Sequence, residues 1–254
     1  MSMLPTDRQH HIQVARGEVG RYVLLPGDPG RSEPIARLFD EPRLVARNRE
    51  YETWSGYLDG EMVSVTSTGI GCPSAAIAME ELVKVGADTF IRVGTSGAIQ
   101  PETETGELAI VTAAIRDEGT SSHYLPMEFP AVAHPLVIDA LSRAARTTGA
   151  RSRLGISQSK DSFYGEVEPE RMPLAQDLAD RWHAWREGGA ICSEMEASAL
   201  FIVASILRVR AGGVMQMHMP GTTDHDPQRT QLLSTAVEAL RELIRTDRDG
   251  GAWP

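Results

Sequence analysis

Short apolar runs alternate with amphipathic stretches along most of the chain. Tyr22-Val23-Leu24-Leu25, Val63-Ser64-Val65-Thr66-Ser67, Thr89-Phe90-Ile91 and the segment from Leu108 to Ala114 are compact blocks rich in large or β-branched apolar residues, the pattern of buried strands. Between them, Ser74 to Val85 carries Ile77, Ala78, Leu82 and Val85 at helical spacing. Leu136 to Thr148, Leu174 to Arg186, Ala197 to Leu207 and about Arg229 to Arg245 also predict helices. The second of these places Leu178, Trp182 and Trp185 on one side, where core packing is the expectation. Strand and helix in alternation predict an α/β fold with a largely buried central sheet. No linker divides the chain, so 1–254 reads as one domain, with a frayed tail from Asp247 to Pro254.

Glycine punctuates the ends of several predicted strands. Pro26-Gly27-Asp28-Pro29-Gly30-Arg31 follows the first, and Arg92-Val93-Gly94-Thr95-Ser96-Gly97 follows the Thr89 run. Both read as loops at a strand's carboxyl end, the place where open α/β sheets bind ligands. Glycine lets backbone N–H groups approach a ligand, and arginine offers a forked, permanent positive charge that matches phosphate oxygens. A plainer reading makes each arginine a surface partner for a carboxylate. Gly69-Ile70-Gly71 reads as a tight loop between a strand and a helix, and 116–122 as a polar stretch lining a cleft. Neither a Walker sequence nor a dinucleotide fingerprint is present, because Pro73 stands where the fingerprint's helix would begin. Val214-Met215-Gln216-Met217-His218-Met219 reads as a strand, and 220–227 as a loop of lid-like composition.

Composition narrows the partners. The formal net charge is -10 over 254 residues, which argues against nucleic acid and against an anionic membrane. An arginine cluster in such a chain is a local pocket. Cys72 and Cys192 lie among small or apolar residues, outside any metal-ligand spacing, and read as buried free thiols of a reducing cytoplasm. The longest apolar runs fall short of the roughly 20 residues of a membrane span.

Five segments occur in one order: Pro26-Gly27-Asp28-Pro29-Gly30-Arg31; Asn48-Arg49-Glu50 with Thr53-Trp54; Ser67-Thr68-Gly69-Ile70-Gly71; Ile91 to Gln100; and Ser193-Glu194-Met195-Glu196. Together they resemble the nucleoside phosphorylases of the uridine phosphorylase type, from about His11 to about Leu243. The resemblance implies a single-domain fold with a mixed, partly barrel-like central sheet flanked by helices, and hexamers assembled from dimers. It implies a phosphate site of Gly27, Arg31, Arg92 and Thr95, completed by Arg49 from the neighbouring subunit. Met195 and Glu196 would hold the ribose, Glu196 accepting from the 2′ and 3′ hydroxyls, with His11, or its neighbour His10, reaching the 5′-hydroxyl across the dimer. A carboxylate at 196 also suits the N-terminus of the following helix. Phe163 would stack near the base and ribose, and core packing is an equally good reading of it. Glu50, Ile70 and Ser74 match positions where relatives hold a potassium or sodium ion, and an ion pair is an equally good reading of Glu50. No metal or organic cofactor enters the implied chemistry.

Base recognition departs from the family pattern. Where uridine enzymes carry a glutamine and, two residues on, an arginine, this chain has Glu166 followed by Val167 and Glu168, with Arg171 further on. A carboxylate only accepts hydrogen bonds, whereas an amide also donates. Met219-Pro220-Gly221 stands in place of a family Asn-Arg pair, and His218 is a candidate donor to the base or a plain strand residue beside it. Purine-specific relatives place an aspartate near this point, but Asp224 lies several residues beyond. The implied activity is reversible phosphorolysis of a nucleoside, uridine or a related pyrimidine, to ribose 1-phosphate and free base, with Arg92, Glu196 and Arg31 at the reacting centre. The competing expectations are a phosphorylase for a purine or modified base, a nucleosidase that uses water, and a non-catalytic nucleoside or phosphate sensor.

Overall fold

A computed structural model describes residues 8–222 and 229–250. Among the described residues the chain runs β1 (Tyr22–Pro26), α1 (Ser32–Ala36), β2 (Asp40–Asn48), β3 (Tyr51–Leu58), β4 (Glu61–Thr66), α2 (Cys72–Lys84), β5 (Thr89–Ala98) and β6 (Leu108–Asp117). It continues through β7 (Ala131–Val132), α3 (Pro135–Thr148), β8 (Ser152–Lys160), α4 (Phe163–Val167), α5 (Ala175–Glu187), β9 (Cys192–Glu194), α6 (Ala197–Leu207), β10 (Arg210–His218) and α7 (Thr230–Arg248). All ten strands belong to one mixed sheet ordered β10-β6-β8-β9-β5-β1-β4-β3-β2, with β7 on β6 and a further pairing of β10 with β5. That pairing closes β5, β10, β6, β8 and β9 into a five-stranded barrel, and β1, β4, β3 and β2 extend from it as an open wing. The expected mixed, partly barrel-like α/β sheet is what forms.

Two apolar clusters fill the space between sheet and helices. One joins α2 and α6 to the barrel through Met79, Leu82, Phe90, Leu200, Phe201 and Met215. The other joins α3 and α7 to it through Leu141, Val214, Leu240 and Leu243. Helix α6, Ala197-Ser198-Ala199-Leu200-Phe201-Ile202-Val203-Ala204-Ser205-Ile206-Leu207, is apolar nearly all round, and its first eight residues are buried, as a helix between layers requires.

Several expectations are corrected. Arg92 to Gly97 is not a loop: it lies wholly within the ten-residue strand β5. Neither Gly94 nor Gly97 adopts a positive φ. Gly94 is instead a packing residue, because a β-carbon there would run into the Met215 sulfur of the adjacent strand. The 116–122 stretch lines a cavity only through Asp117; buried Arg116 donates to the carbonyls of Leu125, Pro126 and Phe129, and buried Glu118 accepts from Ser121 and Ser198. Helix α5 buries no residue. Its Leu178, Trp182 and Trp185 roof a cavity of about 550 Å³ with Asp117, Lys160 and Glu166, rather than packing into a core. The carboxyl-terminal helix continues to Arg248, because Asp247 is anchored by Arg210 at 2.6 Å and by the Tyr22 hydroxyl at 2.6 Å. Asp224, most of the lid-like segment and the last four residues of the tail lie outside the described residues.

Candidate active site

The first glycine segment does turn. Asp28 accepts the Gly30 N–H at 2.9 Å and caps the short 3-10 turn Pro29–Arg31, which aims Arg31 back across the end of the sheet. Arg31 lies 3.4 Å from the Val93 carbonyl of β5. Arg92 rises from the middle of the same strand, buried, with Nη1 donating to Thr68 Oγ1 at 3.1 Å and to the Leu25 carbonyl at 3.3 Å. Gly27 makes room for it, since a β-carbon there would stand 3.0 Å from Nη2 and 3.2 Å from Nη1. Burial, and then the Arg92 charge, pull the Arg31 guanidinium down to about 10. The Arg31 guanidinium therefore bears an electrostatic cost in this recess that an anion beside it would lower. Thr95, half-buried, follows Arg92 in the strand.

Glu196 faces the arginines. Its Oε2 accepts from Arg92 Nη2 at 2.5 Å, and its Oε1 accepts the Gly71 N–H at 2.7 Å, both groups being buried. Gly71 has φ 102 at the start of α2, a conformation that suits glycine and turns this N–H toward the carboxylate. These contacts leave Glu196 no part in capping the helix that follows it. The cap of α6 is Glu194, whose Oε2 accepts from the N–H groups of Glu196 at 2.7 Å and Ala197 at 2.8 Å. Glu196 makes no side-chain cap bond. Burial, and then the neighbouring Glu196, push the Glu194 carboxyl upward, while Ser159 and these N–H groups oppose the shift. Met195, between the two, is half-buried, and its carbonyl accepts from the Cys72 thiol at 3.2 Å.

His11 and Arg49 lie together on another face. Asn48 Nδ2 donates to the His11 carbonyl at 2.7 Å, and Arg49 follows at an exposed turn with φ 54. The His11 ring is 2.6 Å from Glu81, which also accepts the backbone N–H groups of His11 and Ile12. Burial would raise the Glu81 carboxyl, but the Ile12 and His11 donors hold it below its ordinary value. The ring of His10 meets that of His11 edge-on at 4.7 Å. Beside Arg49, the Glu50 side chain lies against Gly69, Ser74 Oγ donates to the Thr68 carbonyl, and the side chain of Ile70 is exposed. A carboxylate, a hydroxyl and turn carbonyls are hard oxygen donors, the kind that suit an alkali cation.

The region expected to meet the base is built differently. Phe163 and Tyr164 open α4, each more than half exposed and meeting edge-on at 5.5 Å. Glu166 turns inward, where Oε2 is 2.6 Å from Lys160 Nζ, itself buried at the end of β8. Lys160 also donates to Ser193 Oγ at 2.5 Å. Ser193 Oγ lies beside both Glu166 Oε2 and Gln158 Oε1, one of which takes its single proton. Gln158 in turn donates to Asp117 at 2.8 Å. Arg171 is not brought into this group, since it pairs with Glu168 at 2.6 Å and lies over the Tyr164 ring. His218 stands opposite Gly97 at the end of β10, and the Met219 N–H donates to Thr105. Lys160, Gln158 and Ser193 were absent from the expected site. Their signal in the sequence is weak, because a single lysine or glutamine in a polar run looks like any solvated face.

Residues 21–246 match the profile of the Phosphorylase superfamily. The chain is 47% identical over 251 residues to the uridine phosphorylase of Treponema pallidum (strain Nichols), covering 95% of this chain and 96% of that relative. It is 46% identical over 244 residues to the uridine phosphorylase of Thermococcus kodakarensis, covering 92% and 87%. A guanosine phosphorylase of Halorubrum lacusprofundi is 40% identical over 207 residues, covering 82% and 81%.

Proposed function

The chain belongs to the Phosphorylase superfamily, and from that premise we propose that it catalyses the reversible phosphorolysis of uridine or a related pyrimidine nucleoside to ribose 1-phosphate and free base. The observation that carries this reading is the pairing of Arg92 with Glu196 at 2.5 Å beside the crowded guanidinium of Arg31. An anion site and a carboxylate for sugar hydroxyls share one buried arginine. Phosphate held by Gly27, Arg31, Arg92 and Thr95 attacks C1′, and the charge growing on the ribose is met by the phosphate anion itself. Glu196 orients the ribose through its 2′ and 3′ hydroxyls, and Phe163 covers base and sugar.

The exposed turn at Arg49 and the neighbouring His11 support a dimer in which each subunit completes the other's site, with hexamers built from such dimers. The chemistry requires no cofactor. Glu50, Ser74 and the Ile70 carbonyl would hold a potassium or sodium ion in a structural role. Two buried free thiols suit a reducing cytoplasm.

A second reading, phosphorolysis of a purine nucleoside, is favoured by the Glu166 carboxylate and by the guanosine phosphorylase among the relatives. The test is base release from a panel of uridine, thymidine, inosine, guanosine, adenosine and cytidine, with and without phosphate. Release that is equally fast without phosphate overturns the phosphorylase reading. Arg92→Ala is expected to reduce phosphorolysis by roughly 100- to 1000-fold, with circular dichroism near wild type and a lowered melting temperature, because the buried Glu196 carboxylate loses its partner.

A further inference from the structure

We infer that Lys160 and Glu166 act as one reading head for the edge of the base, selecting an adjacent N–H and carbonyl, the lactam edge, against the amino-substituted edge of cytosine or adenine. The inference rests on the phosphorylase reading and deepens it, naming the substrate class that the unusual base end takes.

Three observations carry it. First, the position is right. Ser193, which holds both side chains, lies on β9 three residues before Glu196, so one short segment ties this pair to the carboxylate that faces the arginines. Ser193 also pairs with Gly97 of β5, and Glu166 Oε1 points toward Gly97, 3.5 Å from where a β-carbon would stand. Second, the donor and acceptor count leaves one of each. Lys160 has three N–H groups, of which Glu166 and Ser193 take two. Glu166 Oε2 serves Lys160 and Ser193, and among the described residues Oε1 accepts nothing. Third, the aromatic face that would cover a base is adjacent, with Lys160 Nζ 6.0 Å from the centroid of the Phe163 ring.

A spare donor beside a spare acceptor matches a carbonyl beside an N–H. Uracil presents O4 and N3–H in that order, and guanine and hypoxanthine present O6 and N1–H. Cytosine and adenine present an amino group beside a bare ring nitrogen, which would set donor against donor and acceptor against acceptor. A site that leaves buried polar groups unpaired with the wrong partner rejects it strongly. The same lysine also serves the chemistry. As the C1′–N bond breaks, its electron pair passes to the base and spreads onto the carbonyl oxygens, while a phosphate oxygen forms the new bond to C1′. A positive charge donating to that carbonyl favours the departing anion.

The experiment compares Lys160→Met, Lys160→Arg and Glu166→Gln with wild type by kcat/KM on uridine against cytidine and on inosine against adenosine. Binding of free uracil, cytosine, hypoxanthine and adenine in saturating phosphate is measured by calorimetry. Wild type should prefer the lactam member of each pair. Lys160→Met should reduce kcat/KM on the lactam substrates roughly 100-fold, with KM for phosphate unchanged, and Lys160→Arg should recover part of that loss. Glu166→Gln, whose amide can turn to donate to a ring nitrogen, should bring the cytosine-type substrate closer. Equal loss on both members of a pair, or no change in the ratio, would mean that the lysine only neutralises Glu166, and the inference falls. If wild type cleaves no nucleoside with phosphate, the phosphorylase reading fails separately, and the binding arm still decides whether these two residues prefer lactam bases.

Discussion

The two ends of the site are held by different means. At the end proposed to hold phosphate and ribose, Arg92 and Glu196 are buried and tied to Leu25, Thr68 and Gly71, which belong to separate segments. At the base end, Phe163 and Tyr164 sit on a five-residue helix, more than half exposed, and α5 behind them buries nothing. One end is built into the barrel and cannot change without disturbing the core. The other is laid over it, so its side chains can be altered while Arg92 and Glu196 keep their places. Lys160 is where they meet, since it projects from a barrel strand to hold a residue of the overlying helix.

The sharpest way to break this contrast is Glu196→Gln. The amide still accepts the Gly71 N–H, so the fold should persist. It no longer balances Arg92, which is then freed for phosphate. Nucleoside kcat/KM should fall by roughly 100- to 1000-fold, while phosphate binding, measured by calorimetry on the enzyme without nucleoside, tightens. Weakened phosphate binding would show that Glu196 organises Arg92 instead of competing for it.

A smaller effect is expected at Arg31, which separates function from stability within the buried end. Its guanidinium, brought down to about 10 first by burial and then by Arg92, is a cost to the folded protein at neutral pH. The folded-state value is below the unfolded one, so this penalty is present below pH 10 and disappears only above the unfolded value. Arg31→Met should therefore melt no lower than wild type in phosphate-free buffer. Phosphate at 100 times its Kd should stabilise wild type by about 2.7 kcal/mol, and the variant should lose most of that gain and tens-fold in KM for phosphate. A phosphate-dependent melting rise that survives in the variant would remove Arg31 from the anion site.

The same division explains what could be read in the sequence. Strand β1, the glycine turn with Arg31, helices α2, α3 and α6, and the Glu194-Met195-Glu196 mouth were legible because each is a local pattern, apolar periodicity beside glycine, proline or charge. The Arg92 segment was misread as a loop because glycine usually breaks a strand, while here Gly94 admits the sulfur of Met215 from β10, a neighbour more than a hundred residues away. The tryptophans of α5 were expected in the core because size and spacing do not say what lies opposite. Lys160 went unseen for the same reason, since its meaning comes from Glu166 and Ser193, which the topology brings to it. Local patterns thus spelled out the Arg31 turn and the Glu194-Met195-Glu196 mouth, whereas the course of β5 through Arg92 and the grouping around Lys160 are legible only once the strands are assembled.

Phe163→Ala is the mildest probe and the most direct test of independence between the ends. The ring is 52% exposed, so its removal should leave stability within about 0.5 kcal/mol of wild type, as for other surface positions. Stacking of a base on an aromatic ring contributes about 1–3 kcal/mol, and with half of the ring facing solvent the lower end applies. Nucleoside KM should rise roughly five- to tenfold, while KM for phosphate and the melting temperature stay put. If the phosphate KM moves with the nucleoside KM, the overlying helix is coupled to the arginines through the Lys160, Ser193 and β9 contacts, and the base end is then a working part of the barrel and not a layer resting upon it.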